Sequence, residues 1–172
     1  MKTRIKHIII PIIAVVLLIA VDQITKIIAR NTLSDGPVAL IEDVFEFSLV
    51  YNTGVAWGMF DNMTLVINII AHLIMIFVAI IYFKMPAENK RLRPLKILLI
   101  LIFAGAAGNC IDRSLMSAVT DFLYFKLINF PVFNVADCYV TVSGILVAVL
   151  LIFYYKEEDF KFLKKEKGQS DV

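Results

Sequence analysis

The sequence is poor in the residues that most hydrolytic and metal-dependent sites use. It has two histidines, His7 and His72, and two cysteines, Cys110 and Cys138, in 172 residues. Neither pair has metal-ligand spacing and there is no H-E-x-x-H motif, so no zinc set is legible. There is no G-x-S-x-G elbow, and no histidine stands near Cys110 in the chain, so neither a serine nor a thiol nucleophile has an activating base. Both cysteines read as small apolar packing residues. A disulfide between them would need Cα atoms within about 7 Å, which nothing in their spacing implies. The formal net charge is only +2, which offers no electrostatic footprint for nucleic acid.

What the chain has in excess is apolar surface. Hydrophobic residues make up 60% of it, and the mean hydropathy is +0.82, far above that of soluble domains of this length. A membrane span needs about 20 mostly apolar residues. Four segments qualify, at 7–27, 63–83, 95–112 and 134–155. The remainder is too small for a separate soluble domain, so 1–172 reads as one integral membrane domain. The first run lacks an A-x-A-like cleavage site and reads as an uncleaved span rather than a signal peptide. Pro11 near its start is placed to bend it.

Basic residues orient the spans. Thirteen of the 17 Lys and Arg residues fall in three places: the N-terminus, the stretch from Lys84 to Lys96, and the tail 156–172. By the positive-inside rule both termini and the middle loop are expected to be cytoplasmic, with 28–62 and 113–133 on the outer face.

Polar residues gather at the expected outer ends of the spans. The first carries Asp22, Thr25 and Lys26, the third Asn109, Asp112 and Arg113, and the fourth Asn134 and Asp137. Asp22 and Lys26 are i, i+4 on one helix face, a good acid-then-base pair. Asn109 with Asp112, and Asn134 with Asp137, are i, i+3 and also share faces. Gly105 and Gly108 let the third helix approach its neighbours closely. Ionisable groups at this depth are costly unless paired, and so are functional candidates.

Between the spans, Phe45, Phe47, Leu49 and Tyr51 alternate with other side chains at period two, which predicts a strand. The stretch Tyr51–Gly54 reads as a turn, with Gly54 available for positive φ, and 55–60 as a return strand. Trp57, Met59 and Phe60 suit the headgroup level. The prediction is a small sheet within 37–60 on the membrane surface. In 113–133, residues 114–119 read as one or two helical turns and 120–125 as extended, bringing Asp121 back toward Asp137.

Two carboxylates close together in a poorly solvated site cannot both ionise cheaply, so one holds a proton while the other does not. That arrangement suits water activation against a peptide bond. A small proton-coupled transporter or channel subunit would also use intramembrane acids, and a non-catalytic adaptor would leave them unexplained. On the residues alone these readings stay open.

The ordered set DQITK, YNTGVAW, GAAGNCIDR, VTDF and FNVAD resembles the lipoprotein signal peptidase family, also called signal peptidase II, over nearly the whole chain. The resemblance implies an all-α membrane protein of four transmembrane helices with a small extracytoplasmic β-sheet. It implies an aspartyl endopeptidase of the bacterial cell membrane, with no cofactor and no metal. Such an enzyme removes the signal peptide from diacylglyceryl-modified prolipoproteins just before the lipidated cysteine. Carried onto this sequence, Asp121 and Asp137 are the catalytic pair. Asn52, Gly54, Asn109, Asp112, Arg113 and Asn134 line the substrate site, and Asp22 and Lys26 support it. Membrane lipid and globomycin-type inhibitors are the other expected partners. The apolar stretch 122–133 between the acids is expected to meet the substrate's acyl chains.

Overall fold

The computed structural model describes residues 2–54 and 63–163. Four long helices dominate: α1 (Lys2–Thr32), α2 (Thr64–Lys84), α3 (Arg93–Met116) and α4 (Val135–Phe153). Each is long and apolar enough to cross a membrane. In α3 half of the most apolar window is buried inside the protein, against 11% in each of the others. α3 is therefore the central helix, and it packs against α1, α2 and α4. The outward faces of the other three carry exposed Ile, Leu, Val and Phe, the side chains that lipid solvates at no cost.

Close packing around α3 rests on its glycines. A Cβ built on Gly105 would stand 2.5 Å from the Ala136 carbonyl of α4. One on Gly108 would stand 2.5 Å from Asp22 Oδ2 of α1. A side chain at either position would force its neighbour to move, backbone at Gly105 and the Asp22 carboxylate at Gly108. Pro11 lies inside α1 and has no N–H to give the carbonyl four residues back. That carbonyl belongs to His7, and the Tyr82 hydroxyl of α2 donates to it at 3.4 Å. A neighbouring helix thus satisfies the group that proline frees.

At one end of the bundle sits a three-stranded antiparallel sheet in the order β1 (Val38–Ile41), β2 (Phe45–Asn52) and β3 (Val119–Tyr124). Two strands lie in the predicted window. The third comes from the distant segment whose extended character was legible but whose pairing was not. β2 and β3 pair from Glu46↔Tyr124 to Asn52↔Val119, with an irregularity between Phe47 and Val50. Phe122 of β3 packs with Ala29 and Leu33 of α1, seating the sheet on the end of that helix. The expected return strand 55–60, with Trp57, Met59 and Phe60, lies outside the described residues, as do Lys164, Lys165 and Lys167.

The third helix is longer than its apolar run. It continues through Arg113 to Met116, so 114–116 extend a span rather than forming a separate turn. Ser117, at φ 57, ends it and reverses the chain into β3. At the opposite end of the bundle Arg91 grips both carboxylate oxygens of Asp159 and lies 4.4 Å from the centre of the Tyr154 ring, tying the 3-10 helix Glu157–Leu163 to the start of α3.

Candidate active site

Asp137 is the third residue of α4, and its position follows from the way that helix begins. Asn134 is the N-cap. Its side-chain oxygen accepts the Asp137 N–H at 3.0 Å, and Asp137 Oδ2 accepts the Asn134 N–H at 3.1 Å, a reciprocal capping box. The other oxygen, Oδ1, accepts the side-chain amide of Asn109 at 2.7 Å. Every contact on this carboxylate is a donor, and it sits in the first turn of a helix, where the dipole favours negative charge.

Asp121 lies on β3 and is 2% exposed. Oδ1 accepts the Asn134 amide at 2.6 Å, and Oδ2 accepts the Asn52 amide at 2.9 Å. Asn52 is aimed by its own turn, because its side-chain oxygen accepts the Gly54 N–H at 3.0 Å. Burial, and next the charge of Asp137, push the Asp121 carboxyl up to about 7, while the two asparagine amides pull the other way. The acids are thus coupled through space and through one residue, Asn134.

Beneath the pair lies a buried ionic cluster. Lys26 Nζ is 3.0 Å from Asp22 Oδ2 and 3.4 Å from Asp112 Oδ2, and donates to Asn109 Oδ1 at 2.9 Å. Asp22 and Lys26 are fully buried and Asp112 is 1% exposed. Charges buried this deeply stand only when the remaining lone pairs are also satisfied, and here they are. Asp22 Oδ1 accepts the Ala136 N–H of α4 at 3.0 Å. Asp112 Oδ2 accepts the Thr120 N–H at 2.9 Å, which fixes the start of β3. One lysine therefore joins α1 to α3, and through Asn109 it reaches both acids' partners.

All ten residues singled out from the sequence come together at this end of the bundle. Arg113 Nη2 donates to the Gly54 carbonyl at 3.3 Å, while its buried Nε has no partner among the described residues. Two contributors were missed. Gln23 donates its amide to Asp22, to the Gly108 carbonyl and to Asp112, each at 3.1 Å. Thr120 accepts from Arg30 at 2.8 Å. Gln23 sits inside the DQITK run and is the adjacent polar residue of a membrane helix, a signal that was available.

One sequence reading needs correction. Cys110 does have a histidine beside it: His72 Nδ1 lies 3.8 Å from its sulfur, brought there from α2. The same Nδ1 lies 2.7 Å from the Asn68 carbonyl. A carbonyl can only accept, so Nδ1 carries the proton and cannot take one from the thiol. Cys110 and Cys138 are both free thiols.

The geometry is that of a polar, proton-handling site set into a membrane helix bundle, and its overall shape matches solved membrane enzymes. One, described as a bacterial membrane enzyme determined by the in meso method at 2.3 Å, superposes with a TM-score of 0.74. It shares 27% identity, with 96% of this chain and 95% of that one covered. A second, determined at 1.9 Å, gives a TM-score of 0.72 at 28% identity.

The particular enzyme class follows from sequence. The lipoprotein signal peptidase of Clostridium tetani is 39% identical over 157 residues, covering 87% of this chain and 95% of that protein. That of Bacillus subtilis is 32% identical over 154 residues, covering 88% and 95%. The family model for signal peptidase (SPase) II matches residues 14–153, and this chain belongs to that family, as a multi-pass membrane peptidase.

Proposed function

We propose that this protein is an aspartyl endopeptidase that cleaves diacylglyceryl-modified prolipoproteins just before the lipidated cysteine, using Asp121 and Asp137 to activate water. The observation that carries the reading is the pairing of two inward-facing carboxylates through Asn134, in a chain without another activated nucleophile among its described residues.

The environments divide the labour. Asp137, whose carboxylate accepts the Asn134 N–H and the Asn109 amide at a helix N-terminus, is the base. Asp121, whose carboxyl titrates near neutrality, carries the shared proton and is the acid. Water between them attacks the scissile carbonyl carbon. Asp137 accepts the water proton, and Asp121 gives its proton to the carbonyl oxygen. Collapse of the tetrahedral intermediate returns the hydroxyl proton to Asp121 as the C–N bond breaks. Asp137 then protonates the leaving amine of the lipidated cysteine, restoring one proton on the pair.

The unpartnered Nε–H of buried Arg113 is a donor for a substrate carbonyl. Asn52 and Gly54 border the same space, and Asn109 and Asn134 orient the acids. Asp112, with both oxygens engaged, acts as a positioning residue for β3, as Asp22 and Lys26 do for Asn109. Globomycin-type inhibitors occupy the same cleft. The basic bias supports a reading with the sheet and the acids at the outer face of the bacterial cell membrane and both termini in the cytoplasm.

The test is cleavage of a lipidated prolipoprotein peptide in detergent. Asp121→Asn and Asp137→Asn each abolish turnover in folded, membrane-inserted protein. Substrate without its diacylglycerol is cut far more slowly at equal concentration, because the lipid sets the bond at the depth of the acids. Near-normal turnover by either variant rules the mechanism out. A reporter placed near Asp35 reads extracytoplasmic, and one after Lys90 reads cytoplasmic.

A further inference from the structure

At the end of the bundle away from the acids, α1 and α2 both rest on α3 and enclose an apolar groove of about 310 Å³. Pro11, Val15, Val78, Ala79, Tyr82 and Phe103 line it. It is open along its length, with Ile12, Val16 and Phe83 exposed at its rims. Its mouth is polar. His7 lies one turn before Pro11 on the same face of α1, and its ring stacks on Tyr82 at 4.9 Å, 15° from parallel. His7 Nε2 is buried and has no partner among the described residues.

The chain that runs past this end of the bundle is strongly cationic. Lys84 ends α2, and Lys90, Arg91, Arg93 and Lys96 follow within the next twelve positions, with Glu88 the only acid between them. Lys96 is held in place, its Nζ donating to the Pro86 carbonyl at 2.7 Å and the Ala87 carbonyl at 3.3 Å. Arg91 is engaged by Asp159. Against Lys84, Lys90, Arg93 and Lys96 stand Glu88 and, on the 3-10 helix that Asp159 ties to Arg91, Glu157 and Glu158, flanked by Lys156 and Lys161, so this end of the bundle carries an excess of positive charge beside the apolar channel.

We infer that this groove is a binding site for an anionic phospholipid, which lays one acyl chain between α1 and α2 and accepts a hydrogen bond from His7 through its phosphate. The charge selects this occupant over a transmembrane peptide. A signal sequence begins with a positively charged segment and would be repelled at this mouth, whereas an anionic headgroup is attracted. The lipid braces α1 against α2, which otherwise meet at the His7–Tyr82 stack and are joined mainly through α3. The site is independent of the peptidase reading.

Native mass spectrometry of the purified chain, titrated in turn with phosphatidylglycerol, phosphatidylethanolamine and inorganic phosphate, tests it. The expected result is one retained phosphatidylglycerol, bound at least about fivefold more tightly than phosphatidylethanolamine, the effect of a single basic group near an anionic headgroup. Inorganic phosphate at the same concentration gives no adduct. His7→Leu, which removes the donor to a phosphate that both lipids carry, weakens both, and Ala79→Leu, which fills the groove, does the same. Equal binding of the two lipids by wild type, or unchanged affinities in His7→Leu, overturns the proposal. Retention of inorganic phosphate alone would mean an anion site without a lipid site, and overturns it too. Should Ala79→Leu fail to fold, His7→Leu decides.

Discussion

Asn134 donates its side-chain amide to Asp121 at 2.6 Å while its side-chain oxygen caps the helix that carries Asp137. One residue therefore sets the start of α4 and the spacing of the acids. Asn134→Ser separates the two jobs, since serine is an equally good N-cap but has no amide to reach Asp121. The variant should keep a melting temperature in detergent near that of wild type. Its turnover should fall about 10- to 100-fold, the loss expected for a hydrogen bond to a charged group of about 1.5–3 kcal/mol. A large drop in melting temperature with unchanged turnover would show that the residue serves the helix alone.

The Asp121 carboxyl, pushed up to about 7, makes two pH predictions. On the proposed mechanism it must hold its proton, so kcat/KM should fall as pH rises through about 7, read as the alkaline limb of the pH profile between pH 5 and 9. Stability should move the same way. Below the ordinary carboxyl range the folded and unfolded chains are both protonated and nothing is lost. As pH rises toward 7 the unfolded chain releases the proton and the folded one keeps it, so stability falls, and it stays lower above 7. The melting temperature of Asp121→Asn relative to wild type should therefore rise from pH 5 to pH 8.5. A difference that is flat with pH would remove the pKa assignment.

Lys26 neutralises two buried acids at once. Lys26→Met keeps the bulk but leaves Asp22 and Asp112 without a cation, which should cost about 3–5 kcal/mol of stability. Asp22→Asn combined with Lys26→Met should recover part of it, a coupling that thermal unfolding of the four proteins in one detergent would read directly.

Much of this site was visible as a pattern. Polar residues stood at the same end of three apolar runs, and pairs at i, i+3 and i, i+4 put them on common faces. Asp22 with Lys26 is a local pair and could be read as such. What could not be read depends on contacts far apart in the chain. β3 joins β2 through pairs such as Asn52↔Val119, and no local period names a partner. His72 meets Cys110 because α2 packs on α3, so chain separation misled. The third helix outran its apolar stretch because Arg113 reaches Gly54 and Ser114 accepts from Asn68 of α2, contacts that hydropathy does not mark.

Gly108 fixes how near α3 comes to α1. A methyl group there would lie 2.5 Å from Asp22 Oδ2 and 3.1 Å from its carboxyl carbon. Asp22 cannot swing aside without giving up Lys26, Gln23 and the Ala136 N–H. Gly108→Ala should thus destabilise more than the overpacking range of about 1–3 kcal/mol. Gly144→Ala, with nothing within 4 Å of the new methyl, serves as the control and should not lower the melting temperature, since alanine is the better helix former.

Arg113 offers the sharpest separation of charge from geometry. Its Nη2 holds the Gly54 carbonyl at 3.3 Å, and its buried Nε–H has no partner among the described residues. A free donor buried beside two acids is costly to keep, and a substrate carbonyl arriving in the cleft would satisfy it. If so, the fork matters and not only the positive charge. Lysine preserves the charge near Asp121 and Asp137 but is a point donor on a flexible stem, unable to hold Gly54 and a second carbonyl in one plane. Arg113→Lys should therefore raise KM about tenfold or more, the cost of one hydrogen bond to a charged donor, while the alkaline limb of the pH profile stays where it was. Arg113→Gln removes the charge as well, so the Asp121 proton should be held more tightly and that limb should shift to higher pH. Steady-state cleavage of a lipidated peptide by the three proteins across pH 5 to 9 gives both readings. If lysine leaves KM unchanged and only glutamine has an effect, Arg113 acts through its charge alone, and the substrate carbonyl must find its donor elsewhere.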